Sequence, residues 1–357
     1  MLTLHTGGES GYDIVIGAGL LSHVGEFMKA APGMPKRAEK ICILSDDNVF
    51  ALYGETVRSS ILDAGYKEVL DFVIPHGESS KSLSVYGAFL EFLAENGVSR
   101  TDCLVALGGG VVGDLCGFAA ATYLRGIAYV GLPTSLLAMV DSSVGAKTAI
   151  DLENGKNLCG AFWRPILVLC DTLALETLPD FYFADGMAEV IKYGVLFDRE
   201  LFDMLSEHGA DFDREEVISR CIAHKIRVVE ADEHESGERK LLNLGHTAAH
   251  GIEGASGYTV PHGHAVAIGM TIVTRAAIDM GLCKKEALEA LCATLARFAL
   301  ADTTDLTPNE IEEIVLRDKK RTGGSITWVM PRDIGTCELI SYTLNESKEL
   351  LAKGMKA

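Results

Sequence analysis

This chain is short of positive charge: 32 Lys and Arg stand against 50 Asp and Glu, a formal net charge of −18. A surface so acidic repels polyanions, so nonspecific nucleic-acid binding is excluded, although a local basic pocket can still take a small anion. The sequence also has no C-x-x-C pair. Its nine cysteines are scattered from Cys42 to Cys337, mostly inside apolar runs, as expected of reduced core thiols in a cytoplasmic protein. No apolar run is long enough to span a bilayer, because Asp114, Arg125 and Pro133 interrupt the stretch from Val111 to Val140, so no membrane partner is expected. The opening MLTLHTGGES lacks a basic region followed by an apolar one, so no signal peptide is expected. Internal repeats and low-complexity tracts are absent too. What remains is a globular composition, 48% apolar and 23% charged over 357 residues, with length enough for two cored domains.

The first half alternates β-rich runs with amphipathic helical patterns. The runs are Tyr12–Ile16, Ile41–Leu44, Val69–Ile74, Cys103–Leu107, Ala128–Leu132 and Ile166–Leu169; Thr56–Ala64 and Val85–Asn96 are among the helical patterns. Such alternation predicts a parallel α/β sheet covered on both faces, with ligands beyond the carboxyl ends of its strands. After Cys170 the period becomes helical, at Ala184–Phe197, Glu215–Glu230, Leu241–Ser256, Ala265–Gly281 and Lys284–Phe298. Pro308 opens a further helix near Asn309–Arg317, capped by Thr307, and a short strand, Ile326–Val329, precedes Pro331. The expected organisation is an α/β domain over 1–172 and a mainly α-helical domain over 173–357.

Leu104–Asp114 reads LVALGGGVVGD, in which Gly108, Gly110 and Gly113 satisfy G-x-G-x-x-G. Glycines there let backbone N–H groups approach a pyrophosphate at a helix N-terminus, yet a tight turn without a ligand gives the same letters. The motif lies on a late strand, and no acid follows about 20 residues on. A polar cluster comes next: Pro133-Thr134-Ser135, then Asp141 through Lys147, then Gly155-Lys156-Asn157. Lysines among hydroxyls and glycines suit phosphate oxygens; the bland alternative is a solvated loop. In DGMAEVIKYGVLF, starting at Asp185, Glu189 and Lys192 stand amid apolar residues, either as an ion pair or as functional groups.

The stretch from Leu241 to Met270 holds four of the ten histidines, His246, His250, His262 and His264. Asn243, His246 and His250 follow at spacings of three and four, which predicts a shared helix face. His262 and His264 flank a glycine after Val260-Pro261. Imidazoles with a carboxylate make an open zinc site, while histidines on small-residue helices also serve as core or cap residues. Lys225, Glu235 and Arg239, upstream, read as functional charges or as solvated surface.

In order and spacing, these strings resemble the 3-dehydroquinate synthase family of sugar-phosphate cyclases. The similarity runs from about Pro75 to Gly335, through PHGESSKS, ALGGGVVGDLCGFAAATYLRG, PTSLLAMVDSSVGAKT, GKNLCGAF, DTLALETLP, GMAEVIKYG, ESGERKLLNLGH, HGHAVAIGM and RDKK. The resemblance implies a Rossmann-like NAD-binding domain, a helical second domain and an active site in the cleft between them. It implies Zn²⁺ or Co²⁺ held by Glu189, His246 and His262, with His264 where the family has glutamate. NAD would be met by Asn48, Glu78, Lys81, Gly109, Gly110, Val111, Asp114, Thr134, Ser135, Lys147, Lys156 and Thr177. The substrate would be met by Asp141, Lys147, Lys156, Asn157, Lys192, Lys225, Glu235, Arg239, Asn243 and His250, and by one lysine of Lys319-Lys320, with Lys320 preferred. Arg125 matches an arginine that reaches the neighbouring subunit's phosphate, which implies a homodimer.

The implied substrate, 3-deoxy-D-arabino-heptulosonate 7-phosphate, accounts for these residue types. Lys225 and Arg239 suit its carboxylate, while Lys147, Asn157, Asn243 and His250 can surround its phosphate. The implied reaction is transient oxidation by NAD, phosphate elimination, re-reduction, ring opening and aldol closure to 3-dehydroquinate, a step of the shikimate pathway toward aromatic amino acids. The chain departs from the family pattern at Met139, Ala146, Ala149, Phe181-Tyr182 and His264. The rival expectations are a sister cyclase acting on sedoheptulose 7-phosphate or glucose 6-phosphate, a metal-dependent polyol dehydrogenase, and a catalytically silent binding protein. Neither rival substrate has a carboxylate, so Lys225 with Arg239 favours the first reading.

Overall fold

The computed structural model describes residues 1–7, 11–233, 235, 237–319 and 324–356. The chain divides into two compact units, Met1–Pro179 and Asp180–Ala357. The division lies past residue 172 because Asp171 ties the following 3-10 turn, Thr172–Glu176, back to the sheet. Its carboxylate accepts the N–H groups of Gly19, Leu21 and Leu173.

The strands of the first unit are β1 (Leu2–Thr6), β2 (Tyr12–Gly17), β3 (Lys40–Asp46), β4 (Glu68–Ile74), β5 (Cys103–Gly108), β6 (Ala128–Pro133), β7 (Lys147–Leu152), β8 (Gly155–Phe162) and β9 (Leu167–Asp171). Seven form one sheet in the order β1-β2-β9-β6-β5-β3-β4, parallel throughout except for β1, which runs antiparallel on β2. The antiparallel edge strand is an addition to the expected parallel sheet. Alternation along the strands builds two cores. Ile41, Ile43, Val105 and Leu107 face α1 (Val24–Ala30) and α2 (Asp47–Asp63). Cys42, Leu44, Leu104 and Ala106 face α3 (Leu83–Glu95) and α4 (Gly110–Thr122).

The chain leaves β3 for β4 on one side, then returns to β5 on the other. The topological switch therefore lies between β3 and β5, the place where open α/β sheets bind ligands. The glycine motif's late place in the sequence is thus no objection, since in space it sits at the switch. Of the polar cluster, Lys147 and Gly155-Lys156-Asn157 lie on the hairpin β7–β8, packed on α4, rather than on a solvated loop.

In the second unit, α5 (Asp180–Phe197), α6 (Arg199–His208), α7 (Arg214–Ala231), α8 (His246–Ala255), α9 (His262–Asp279), α10 (Lys285–Arg297), α11 (Pro308–Lys319) and α12 (Leu344–Gly354) accompany the hairpin of β10 (Ser325–Asp333) and β11 (Thr336–Thr343). Two boundaries correct the sequence reading. The helix expected over Leu241–Ser256 is a 3-10 turn, Glu238–Asn243, followed by α8, with Gly245 between them at φ +78. A Cβ at Gly245 would lie 2.8 Å from Met270 N and 2.9 Å from Val266 O, so α9 passes too close for any other residue. Asn243 therefore does not share a helix face with His246. The helix expected to begin at Ala265 begins instead at His262, directly after Pro261, so its first turn carries His262 and His264. Among the described residues no helix is long and apolar enough to cross a membrane.

Asp198 joins three helices. It caps α6 through the Leu201 N–H at 3.0 Å, takes Arg220 of α7 at 2.6 and 2.9 Å, and meets His224 Nε2 at 3.0 Å. Against desolvation, which works the other way, Arg220, the Leu201 N–H and His224 hold its carboxyl down at about 2. A depressed carboxyl stabilises the fold above its unfolded value of about 3.9 and loses that contribution as pH falls through about 2. Asp198→Asn is expected to cost about 1–3 kcal/mol at pH 7, with the gap to the unaltered chain closing between about pH 4 and pH 2. Urea melts at both ends of that range check this; an equal gap at pH 2 and pH 7 would contradict it.

Candidate active site

In the first unit the β5–α4 turn opens a helix with no side-chain cap: Gly109 is the N-cap and Gly110 the first helical residue, followed by Val111. The first-turn N–H groups of such a helix are donors for an anion. Space is kept around them, since a Cβ at Gly110 would come within 3.2 Å of Ser142 Oγ. Thr134 is tied to this turn by its N–H to the Gly108 carbonyl at 3.1 Å, and the Ser135 hydroxyl accepts the Ala138 N–H at 3.3 Å. A cavity here is lined by Gly108, Gly109, Asp114, Ser142, Ser143 and Lys147. Asp141 lies beside it in the π-helical turn Ala138–Ser142, and Lys147 is exposed at the start of β7.

Lys81 brings together residues far apart in sequence. It is buried, and its Nζ donates to Asp114 Oδ2 and Asn157 Oδ1, both at 2.5 Å. The sequence reading missed the residue that organises this cluster, Asp151. Its N–H donates to the Lys81 carbonyl, and its Oδ1 accepts the N–H of Asn157, which sits at φ +56. Desolvation, with Asp151 hydrogen-bonded to it, lifts the Glu78 carboxyl above its ordinary value against the pull of Lys156 and Lys81. Asn48 and Thr177 are exposed. The first lies on the opening turn of α2, and the second is hydrogen-bonded to the Tyr53 hydroxyl. Arg125 is exposed on a strained turn in which Leu124, Arg125 and Gly126 all have positive φ.

In the second unit three helices converge on Glu189. This α5 carboxylate is fully buried and paired with Lys192, itself 1% exposed. Its Oε1 is 3.6 Å from His246 Nε2 of α8 and 3.6 Å from His262 Nε2 of α9. Bonds of about 2.0–2.1 Å to a tetrahedral ion put ligand atoms about 3.3–3.4 Å apart, so these three groups have the spacing of a zinc-type donor set. Among the described residues they form a group whose ligand atoms all lie within 4.8 Å of one another. The rings are oriented from behind. His246 Nδ1 lies 3.1 Å from the Leu244 carbonyl, and His262 Nδ1 lies 3.5 Å from Glu253 Oε2. A carbonyl or carboxylate behind the far ring nitrogen leaves Nε2 as the metal donor.

Burial, with Lys192 beside it, pushes His246 down to about 3, so it is neutral. Burial also opposes charge on His262, but Glu189 and Glu253 outweigh it and lift that imidazole to about 10. A cation bound here would displace that proton. Glu253 is 3% exposed and was not anticipated. It follows His246 by seven residues, two helical turns, and that spacing was the available signal. His250 is exposed one turn from His246, with ring centroids 5.9 Å apart.

Lys225 of α7 and Arg239 of the 3-10 turn are buried, at 6% and 3% exposure, on elements that pack together. Arg239 donates through Nη1 to the Glu233 carbonyl at 2.6 Å and through its N–H to Asp232 Oδ2 at 3.1 Å. Asn243 Nδ2 donates to Glu235 Oε1 at 2.5 Å, and Glu235 has φ +57. Lys320 lies outside the described residues.

Comparison with known proteins bears on this geometry. The family description 3-dehydroquinate synthase N-terminal matches residues 71–185, and 3-dehydroquinate synthase C-terminal matches residues 186–321. The chain belongs to the 3-dehydroquinate synthase family. The 3-dehydroquinate synthase of Clostridium acetobutylicum is 44% identical over 96% of each chain, and that of Pelobacter propionicus 43% over 95% of each. Among solved structures, 2-deoxy-scyllo-inosose synthase complexed with carbaglucose-6-phosphate, NAD⁺ and Co²⁺ superposes with a TM-score of 0.87 at 25% identity, covering 99% of this chain and 100% of that one. A 2-epi-5-epi-valiolone synthase from Streptomyces hygroscopicus, with NAD⁺ and Zn²⁺ bound, gives 0.85 at 27% identity, covering 98% of each. A glycerol dehydrogenase from Schizosaccharomyces pombe gives 0.65 at 15% identity, over 96% of this chain and 88% of that one, which is a likeness of fold alone.

Glu253→Ala is expected to weaken Zn²⁺ binding by about 10–100-fold, as loss of the group behind a metal-bound imidazole does elsewhere, and Glu253→Gln by less. Chelator competition measures both; unchanged affinity in Glu253→Ala would separate Glu253 from the site.

Proposed function

We propose that the chain converts 3-deoxy-D-arabino-heptulosonate 7-phosphate to 3-dehydroquinate and phosphate, with NAD and a divalent ion, Zn²⁺ or Co²⁺, as a cytoplasmic homodimer. The observation that carries this reading is a zinc-type donor set in the same unit as two buried cations, Lys225 and Arg239, in a chain of this family. When bound, NAD⁺ supplies a hydride acceptor and the ion polarises a substrate hydroxyl.

The protein's own groups bind and orient. Glu189 and the Nε2 atoms of His246 and His262 hold the ion. The Arg239 guanidinium presents a planar fork matched to a carboxylate, with Lys225 as a second cation. In the first unit Lys147 and Asn157, and in the second Asn243 and His250, supply donors suited to a phosphate; Lys156 and Asp141 of the first unit and Glu235 of the second are further polar groups offered to the substrate. Lys192, held against Glu189, keeps an ammonium beside the ion's position. The α4 N-terminus, with Lys81, Asp114, Thr134 and Ser135, takes the dinucleotide. Arg125 is exposed on a strained turn where it and Leu124 have positive φ without being glycine, of the kind retained for function, and is offered to a second subunit's phosphate. Fixing several reactive groups at once supports a multistep conversion in one site.

The test is incubation with the heptulosonate phosphate, catalytic NAD⁺ and Zn²⁺ or Co²⁺, following phosphate, 3-dehydroquinate and NADH together. Phosphate and dehydroquinate in equal amounts without NADH accumulation are expected. Turnover of sedoheptulose 7-phosphate or glucose 6-phosphate in its place would make the chain a sister cyclase, and conversion of the added NAD⁺ to NADH without phosphate release would make it a dehydrogenase. Arg239→Leu is expected to lower kcat/KM for the acid substrate by about 10²–10³-fold, the cost of losing a charge-assisted pair. An unchanged kcat/KM would remove Arg239 from carboxylate binding.

A further inference from the structure

The first turn of α9 meets α5 along a single stripe. Phe181, Asp185 and Glu189 are spaced by four, which stacks them on one face of α5. Phe181 stacks on the His264 ring, with centroids 4.7 Å apart and planes 24° apart. Asp185 Oδ1 accepts the His264 backbone N–H at 3.1 Å, and its carboxylate also takes the Gly263 N–H. One turn on, Glu189 Oε1 stands 3.6 Å from His262 Nε2.

The start of α9 needs this contact. Its N-cap is Pro261 and no side-chain cap closes its first turn, so the amides there are satisfied by a different helix. The approach is close: a Cβ on Gly263 would lie 1.9 Å from the Asp185 carbonyl oxygen. Asp185 is 6% exposed, so removing its carboxylate strands buried donors that water reaches poorly.

We propose that Asp185 is a positioning residue for the metal site. It docks the first turn of α9 onto α5 in the register at which His262 Nε2 and Glu189 Oε1 face one ion. Apolar packing alone lets a helix slide and rotate by small amounts, whereas amide bonds to a buried carboxylate fix both motions at the turn that carries His262. A metal site holds its distances to about 0.2 Å, so a small slip of that turn is felt at the ion. Asp185 is not in the group of converging ligand atoms and acts through His262 and Glu189. The inference rests on the metal reading of those residues.

The experiment uses Co²⁺ alone as the probe on the full chain, reading affinity by chelator competition and coordination by the visible d–d bands, with thermal midpoints alongside. Asp185→Ala is expected to lose about tenfold or more in Co²⁺ affinity and to shift its bands. Asp185→Asn, which keeps a carbonyl acceptor at Oδ1, should stay within about threefold of the unaltered chain with its spectrum retained. Should Asp185→Ala not fold, Asp185→Ser, whose hydroxyl is one atom too short, is expected to show the same loss. Unaltered affinity and spectrum in the alanine or serine variant overturn the proposal, whatever the thermal midpoint. Failure of the unaltered chain to bind Co²⁺ overturns the metal reading itself.

Discussion

A fully buried carboxylate, Glu189, sets the terms for the second unit. Taking a carboxylate out of water costs several kcal/mol, and only close opposite charge and well-placed donors return it. Around Glu189 the helices supply Lys192 from one turn on, His246 from α8 and His262 from α9. The arrangement goes beyond neutralisation. A single lysine would balance one carboxylate, but two imidazoles spaced as metal ligands, each with an oxygen behind its far nitrogen, make a place for a divalent ion.

The first unit obeys a different constraint, the switch in strand order between β3 and β5. It opens the sheet's carboxyl edge, and β7–β8 then carries Lys147, Lys156 and Asn157 on a hairpin packed on α4. Some of the non-glycine residues with positive φ are among those expected at the site. Arg125, Asn157 and Glu235 adopt positive φ without being glycine, and Ala146 does so directly before Lys147. Each such residue costs of order 1 kcal/mol or more, which persists where the surroundings over-determine it.

Much of this was legible from residue patterns. Continuous apolar runs such as Ile41–Leu44 and Cys103–Leu107, alternating with helical patterns, carried the covered sheet, and the helical period after Cys170 carried the second unit. The metal ligands were legible mainly through family resemblance, because Glu189 lies more than a helix away in sequence and spacing alone left four histidines open. What escaped was whatever depends on a tertiary partner. The break at Gly245 exists because α9 crosses there, and α9 begins at His262, where Asp185 completes its first turn. Asp151 acts by tying Lys81 to Asn157 across separate elements, which no local pattern records. Phe181 and His264, two departures from the family pattern that lie far apart in sequence, proved to be stacked on each other.

The central claim is that Glu189, His246 and His262 hold one divalent ion. X-ray absorption spectroscopy of the Co²⁺- or Zn²⁺-loaded chain tests it most directly. Two imidazole nitrogens at about 2.0–2.1 Å and a carboxylate oxygen at about 2.0–2.2 Å are predicted. A first shell without imidazole scattering, or one with sulfur at about 2.3 Å, would contradict it.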